Sequence, residues 1–492
     1  MTVTSDDVES LPPSTPRWRP GPWLRRLMIA APVLLLAGFA LVATAVPAIQ
    51  VRQLSILDEA AHIDSVFKVP SIDRSGEKFL PQTLAEISCR GGIQQWPDWV
   101  PPPCGIPQGV PSDNYQVGSG GYNTADIHPP VYYFVTAALA GVAGWFIDSD
   151  PVTLMRLTGG LYLAIGVCLT WWLARRLGAN RWSAFGVAGL VATAPDVRYM
   201  SSIVNVDASV IMASAAFGLA ALTVWRRRSA WWILPLLAIG LMLVKMTNLG
   251  ALIVTALFLI FTELTAPIPP GDPVPETARS LARRAPGPDG PAATIARWRV
   301  DLRHWASHNG QRTARAVGLS GLMACGAVLV TVGWTRIQSF RALVPADQLW
   351  FTQQFKVDRL LIGNIGDSLL RFWEPRGLWA EWLSGRPYLG SVLLMLTAAV
   401  PLGLVVRAWC RLRPAYPILL AALVTMAIAA PVYVVMNYVV NGIYFNPDFR
   451  YGLSVLPFFA AAVGAGIRTR VAGGVVAGLA VVGMATTLVS LT

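Results

Sequence analysis

The sequence predicts an all-α polytopic membrane protein, and two observations carry that prediction. Only 13% of its 492 residues are charged while 54% are hydrophobic, against about 25% charged in a soluble globular domain. Long apolar runs recur from Leu27 to the C-terminus, and in lipid such runs satisfy their backbone polar groups as helices. A formal charge of +12 would suggest nucleic acid in a soluble chain. Here arginines flanking apolar runs account for it, so the expected partner is the lipid bilayer and not nucleic acid.

Residues 1–26 read as a disordered cytoplasmic N-terminus, polar and proline-rich, with Arg17, Arg19, Arg25 and Arg26 before the apolar run Leu27–Ile49. A signal peptide would have a shorter apolar core, about 7–15 residues, ending in a small-residue cleavage site. An uncleaved first helix fits better. Residues 50–127 form a long polar loop expected outside, and loops of this length are usually functional or disordered. Its tryptophans and its Cys89 and Cys104 argue for order, and outside the cell these two cysteines are expected to pair as a disulfide. Cys168, Cys325 and Cys410 lie in apolar segments and read as inert.

Further apolar segments follow at 128–147, 152–174, 182–200, 208–225, 231–247, 249–265, 316–336, 388–407, 415–437, 451–467 and 471–491, giving about 11–12 in all. Positive charge decides the threading. Arg175-Arg176-Arg181, Arg226-Arg227-Arg228, the arginines of 279–315, Arg407-Arg411-Arg413 and Arg468-Arg470 share one side only if 128–147 fails to cross. That segment is therefore expected to be re-entrant or to lie against the outer face. The chain divides into an N-terminal membrane module, 27–265, a basic cytoplasmic linker, 266–315, and a C-terminal module, 316–492. The last includes a second outer loop, 337–387, whose Trp350, Trp373, Trp379 and Trp382 read as interfacial anchors.

This threading brings Asp58, Glu59, Asp126, His128, Asp207, Lys245, Asn248 and Arg450 towards the outer face from separate parts of the sequence. Convergence of polar groups is what a site predicts. A carboxylate at Asp58 or Glu59 suits a general base. Adjacent residues cannot face one point on a helix, so one is expected to contact substrate while the other braces it. The plainer reading makes Asp58 a helix N-cap. His62 shares a helical face with Asp58 and is expected to pack or hydrogen-bond. The prolines after His128 impose an extended entry to the next helix, and Tyr132 and Tyr133 suit the headgroup level. Lys245 interrupts an apolar run, a functional hypothesis by default, and is expected to pair with a lipid phosphate or with Asp207, with snorkelling as the alternative. Arg450 suits a phosphate clamp or a salt bridge to Asp448. No P-loop or dinucleotide fingerprint is present, so a soluble nucleotide donor has no evident docking site.

Taken in order, Asp58-Glu59-Ala60-Ala61-His62 after a first helix, His128-Pro129-Pro130-Val131-Tyr132-Tyr133 closing a long loop, Lys245-Met246-Thr247-Asn248 and Arg450-Tyr451 resemble the GT-C superfamily of integral-membrane glycosyltransferases. The nearest likeness is a bacterial branch with an Asp-Glu-Pro-x-His-like motif. Ala60 stands where proline is usual, and Asn446-Pro447-Asp448-Phe449 where a glycine-containing run often precedes the Arg-Tyr pair.

The resemblance implies a GT-C-like helical bundle and a polyprenyl-phosphate-linked sugar donor. It also implies a glycan or lipid acceptor on the outer face and inversion at the anomeric carbon. It makes Asp58 the base, has Glu59, His62, Asp126 and His128 shape the site, and has Lys245 and Arg450 hold phosphate. Some members need a divalent metal and others do not; Asp58, Asp126 and His128 are the candidate ligands. A lysine-poor composition rich in alanine, glycine, valine and proline suggests a bacterial plasma membrane, multi-pass, with the N-terminus cytoplasmic. The rival expectations are a transporter or flippase of a lipid-linked glycan and a non-catalytic envelope-assembly protein. A transporter is expected to place its ionisable groups at mid-membrane on repeated halves.

Overall fold

The computed structural model describes residues 22–91, 104–105, 121–227, 230–264, 291–368, 416–445 and 447–491. The run Trp96–Pro103, the segment 388–407, Arg407, Cys410, Arg411, Arg413 and the tryptophans 373, 379 and 382 lie outside the described residues.

The architecture is all-α. The helices are α1 (Pro22–Gln50), α2 (Glu59–Phe67), α3 (Pro81–Arg90), α4 (Val131–Ala143), α5 (Pro151–Arg176), α6 (Arg181–Thr193), α7 (Pro195–Ser202) and α8 (Val210–Arg227). They continue with α9 (Ile233–Val244), α10 (Leu249–Leu264), α11 (Pro291–Arg341), α12 (Trp350–Phe355), α13 (Ile362–Ser368), α14 (Tyr416–Asn441), α15 (Leu456–Gly466) and α16 (Arg470–Leu491). Among the described residues seven helical stretches are long and apolar enough to cross a membrane, and three shorter apolar helices, α4, α9 and α15, lie beside them. The protein is thus a polytopic membrane protein.

Small residues set the packing. A Cβ on Gly166 of α5 would stand 2.8 Å from the Met212 backbone of α8, and one on Gly186 of α6 would stand 2.7 Å from Val476 of α16. Hydrophobic driving force is weak between helices in lipid, and close backbone approach supplies the missing contact. The resulting core runs from Leu36 and Phe39 of α1 through α5, α6, α8 and α10 to Phe458 of α15 and Val476 of α16.

Two ends of the bundle differ in character. At one, Asn180 and Ser183 bind the Ile467 carbonyl (3.1 and 3.2 Å), Arg226 reaches the Arg176 carbonyl (2.5 Å), and Trp225 donates to Glu263 (3.3 Å). This end gathers Arg175, Arg176, Arg181, Arg226, Arg468 and Arg470. The other end carries α2, α3 and the polar segments around them. Gln338 and Arg341 at the end of α11 tie into it by donating to the carbonyls of Asp73 (3.0 Å) and Ile72 (2.8 Å).

The chain around α4 begins and ends at this second end. His128, just before α4, stacks near His62 with ring centroids 5.5 Å apart, while Asp150, just after it, is bonded to Arg90. Thirteen residues make about 20 Å of helix, short of the roughly 30 Å hydrocarbon core. So α4 returns the chain to the end it left.

Residues 291–315, taken from sequence as part of a basic linker, are the start of the 51-residue helix α11. Proline and glycine are concentrated before residue 291, and Pro291 itself sits at the first helical position, where its missing N–H costs nothing.

An impermeant maleimide should label Ser71→Cys and Ser149→Cys from the same side of the membrane and Thr469→Cys from the other. Labelling of Ser71→Cys and Ser149→Cys from opposite sides would contradict the return path of α4.

Candidate functional site

Asp58 and Glu59 are neighbours with opposite fates. Glu59, at the start of α2, is fully buried. Its Oε1 accepts from Arg156 Nε (2.7 Å) and the Val204 amide (3.0 Å), and its Oε2 from the Ser55 amide (2.6 Å) and Arg156 Nη2 (2.8 Å). With four donors on two oxygens, Glu59 has no free lone pair aimed at a substrate. The expectation that Glu59 is catalytic is corrected accordingly: it braces.

Asp58 takes the N-cap place of α2 yet makes no capping bond, and its backbone is left-handed at φ 59°. Aspartate tolerates that region better than most residues, at a cost on the order of 1 kcal/mol. The turn is imposed from both sides, by Ser55 Oγ accepting from the Leu57 amide (3.0 Å) and by Glu59 held below. The outcome is a side chain 52% exposed that meets Arg450 Nη2 at 3.0 Å.

Three helix breaks supply the rest of the cluster. After α7 the chain forms a 3-10 turn, Val206–Ser209, capped by Asn205, whose Oδ1 accepts from the Asp207 amide (2.9 Å) and whose Nδ2 donates to the Leu57 carbonyl (3.0 Å). Between α9 and α10, Lys245 is extended and a second 3-10 turn, Met246–Asn248, follows. A third, Phe449–Ser454, is capped by Asp448 and leads into α15.

The turns put Lys245 in an ion pair with Asp207. Arg450 Nε lies 3.6 Å from an Asp448 oxygen and 3.8 Å from Asp207 Oδ2. Tyr451 lies beneath both cations, its ring centre 5.2 Å from Lys245 Nζ and 5.6 Å from the Arg450 guanidinium carbon, within reach of a cation–π attraction. Lys245 is buried and paired, so it does not snorkel. Arg450 is the cation with spare capacity, 12% exposed at its side chain, with an Nε that makes no hydrogen bond among the described residues.

The histidines flank this cluster. His62 Nδ1 and the Tyr133 hydroxyl are 2.9 Å apart. Burial lowers the pKa of both histidines well below the ordinary value. The Lys245 and Arg450 charges add to this at His62, and His62, Lys245 and Arg450 add to it at His128. Both rings are therefore neutral near pH 7. Beside them a small cleft is lined by Ser65, Asp73, His128, Tyr133 and Trp334.

Two predicted site residues face elsewhere. Asp126 receives Ser75 Oγ on its carboxylate and Trp334 Nε1 on its carbonyl (3.1 Å), fastening the polar segment to α11. Asn248 is buried and donates to the Leu241 carbonyl (3.1 Å), bridging the break in its own helix rather than facing a substrate. Among the described residues no three His, Cys, Asp or Glu side chains are gathered into a metal-sized group; Asp58, Asp126 and His128 are not brought together.

Beneath α2, Asp64 accepts from the Leu80 amide (2.8 Å), Thr83 Oγ1 (2.7 Å) and Asn123 Nδ2 (2.8 Å), and Lys68 joins it to Asp73. Cys89 and Cys104 are joined as a disulfide. Sequence reasoning missed Arg156, although an arginine six residues into an apolar run is a legible signal. It also gave no role to Tyr451.

Compared with family models and with curated proteins, the chain matches none.

Glu59→Gln should lower stability by about 3 kcal/mol, because it leaves a buried guanidinium without its counter-charge, whereas Asp58→Asn should cost under about 1 kcal/mol. Thermal unfolding in detergent measures both, and equal losses would contradict the division of roles. Burial raises the Asp126 carboxyl to about 6. For an acid raised in the folded state, stability is fully present below the unfolded value near 4 and is lost as pH rises through about 6. Asp126→Asn should therefore gain on the wild type in melting temperature between pH 4 and 7. A gap that does not change with pH would refute this.

Proposed function

We propose that the protein is a membrane glycosyltransferase. It moves a sugar from a polyprenyl-phosphate donor to a glycan or lipid acceptor at the outer face of a bacterial plasma membrane, with inversion. The observation that carries this reading is the meeting of Asp58, Asp207, Lys245 and Arg450 at one end of the bundle. These residues lie far apart in sequence, and Asp58, Lys245 and Arg450 belong to the motifs whose order resembles the GT-C superfamily.

In this reading Arg450 receives the donor phosphate, since its planar fork suits two phosphate oxygens. Lys245 neutralises Asp207 and steadies the Tyr451 ring, over which it lies. The phosphate takes over the guanidinium from Asp58, whose carboxylate then accepts the proton of the acceptor hydroxyl. The hydroxyl oxygen bonds to the anomeric carbon from the face opposite the leaving phosphate, and the C–O bond to phosphate breaks with its electron pair on the phosphate oxygen. His62 and His128, neutral, wall the pocket with Tyr133. The end rich in arginine is the cytoplasmic one by the positive-inside rule, which puts this cluster outside.

A transporter is disfavoured because the ionisable groups gather at one end of the bundle and not halfway along it. Glycan analysis of the host envelope tests the base. Asp58→Asn, at normal protein level, should reproduce the profile of a deletion strain, a loss of about 10²-fold or more in transfer. A normal profile in that strain, against an altered one in the deletion, would remove Asp58 from this role.

A further inference from the structure

The small cleft beside the histidines has a polar interior and two unlike edges. Ser65 and Asp73, 3% and 6% exposed, line it together with His128. Two of its lining residues are exposed and mark its mouth: Ser71, on the polar segment after α2, and Phe134 of α4. Trp334 of α11 lines it too, fixed by its bond to the Asp126 carbonyl (3.1 Å). Phe134 begins an apolar face of α4 that continues through Val135, Val142, Trp145 and Phe146, all exposed, and α11 leaves Ile337 and Phe340 exposed beyond Trp334. Apolar faces of this kind on a membrane protein meet lipid. One edge of the mouth is therefore wet and the other oily.

The interior offers hydrogen-bond acceptors. Ser65 Oγ gives its own proton to the Ala61 carbonyl (3.0 Å) and keeps an acceptor lone pair, the Asp73 carboxylate accepts, and a neutral His128 ring has one acceptor nitrogen. Lys68 Nζ lies 2.8 Å from Asp73, so the carboxylate facing the cleft is already met by a cation, which disfavours an ammonium ligand. A hydroxyl group fits, and the small volume suits a hydroxylated carbon and not a whole sugar ring. A soluble glycan would gain nothing from the Phe134 edge, and a hydrocarbon nothing from Asp73. An amphiphile uses both. His128 also feels the charges of Asp58, Lys245 and Arg450, so a group seated in the cleft is next to the ionic cluster.

We propose that this cleft receives a hydroxyl of a lipid headgroup, entering over Phe134, and that the acceptor of the transfer is a membrane lipid and not a soluble glycan. The role as acceptor rests on the transferase reading; the binding site does not.

Thermal unfolding of the full chain, delipidated in detergent, tests the site with three probes. Glycerol monooleate carries free hydroxyls on an acyl chain, methyl oleate has the chain without them, and glycerol has the hydroxyls without the chain. Glycerol monooleate should raise the melting temperature by about 2–4 °C, and the other two by less than half of that. Ser71→Trp, which fills the mouth from an exposed position, should melt like the wild type and lose most of the shift. Phe134→Ala, which removes the oily edge without filling the cleft, should halve it. The site is overturned if glycerol monooleate gives no shift, if methyl oleate or glycerol matches it, or if the shift is undiminished in both variants. The acceptor role is read from the host envelope, divided into organic-solvent extract and insoluble residue. Deleting the protein should change the glycans of the extract. A change confined to the insoluble residue overturns the lipid acceptor and leaves the transferase reading standing, whereas no change in either fraction overturns both.

Discussion

A carboxylate and a guanidinium taken out of water together, Glu59 and Arg156, hold the functional end of the bundle in shape. Each side chain alone would be intolerable in an apolar core. Paired, and with their remaining hydrogen-bonding positions filled by the backbone of Val51, Gln53, Ser55 and Val204, they join three stretches of chain. These are the turn after α1, the first turns of α5 and the connection from α7 to Asp207. The bidentate geometry matters as much as the charge, since it fixes the direction in which α2 leaves that turn. Asp58 is exposed because Glu59 is buried beside it.

The same logic explains why the site lies at breaks in helices. A continuous helix spends its backbone groups on itself, and an ionisable side chain within it must be paired or carried to the surface. Where α9 stops at Lys245 and where α15 is preceded by a 3-10 turn at Arg450, the chain exposes polar backbone and turns side chains inward. Asn205, Asn248 and Asp448 cover those backbone groups. The polar cluster and the irregular backbone thus justify each other, and both are confined to one end of the molecule.

Much of this was legible in the sequence, for identifiable reasons. Apolar runs long enough to cross a bilayer announce themselves, and the arginine clusters led to the expectation that 128–147 does not cross. Asp58, Lys245 and Arg450 stood out because each is a charge at the edge of an apolar run. What could not be read was pairing. Nothing local says that Arg156 belongs to Glu59, 97 positions earlier, whereas Lys245 with Asp207 was one of two pairings the sequence offered. Nor could the direction of each carboxylate be read, because it depends on a left-handed residue at a position where aspartate usually caps. Residues 291–315 looked like a linker because their charge outweighed an apolar spacing, Ile295, Trp298, Leu302 and Trp305, that a helix would use.

The distribution of charge within the cluster suggests how it avoids locking itself shut. Arg450 is approached by Asp58, Asp207 and Asp448, yet Asp207 is already committed to Lys245, and the contacts from Asp207 and Asp448 to Arg450 exceed 3.5 Å. Only the Asp58 contact has hydrogen-bond length. It also joins Arg450 to the most solvent-accessible of the three carboxylates, where an ion pair contributes under about 1 kcal/mol because water screens it. In the proposed reading, the singly charged phosphodiester of the donor competes with one weak contact and leaves the buried pair beneath it intact. Reversing the arrangement, with Asp58 buried and Asp207 exposed, would put the strongest bond where exchange is needed. The order of burial, Asp207 and Lys245 innermost, Arg450 between and Asp58 outermost, is therefore the order of exchangeability that the proposed phosphate site requires.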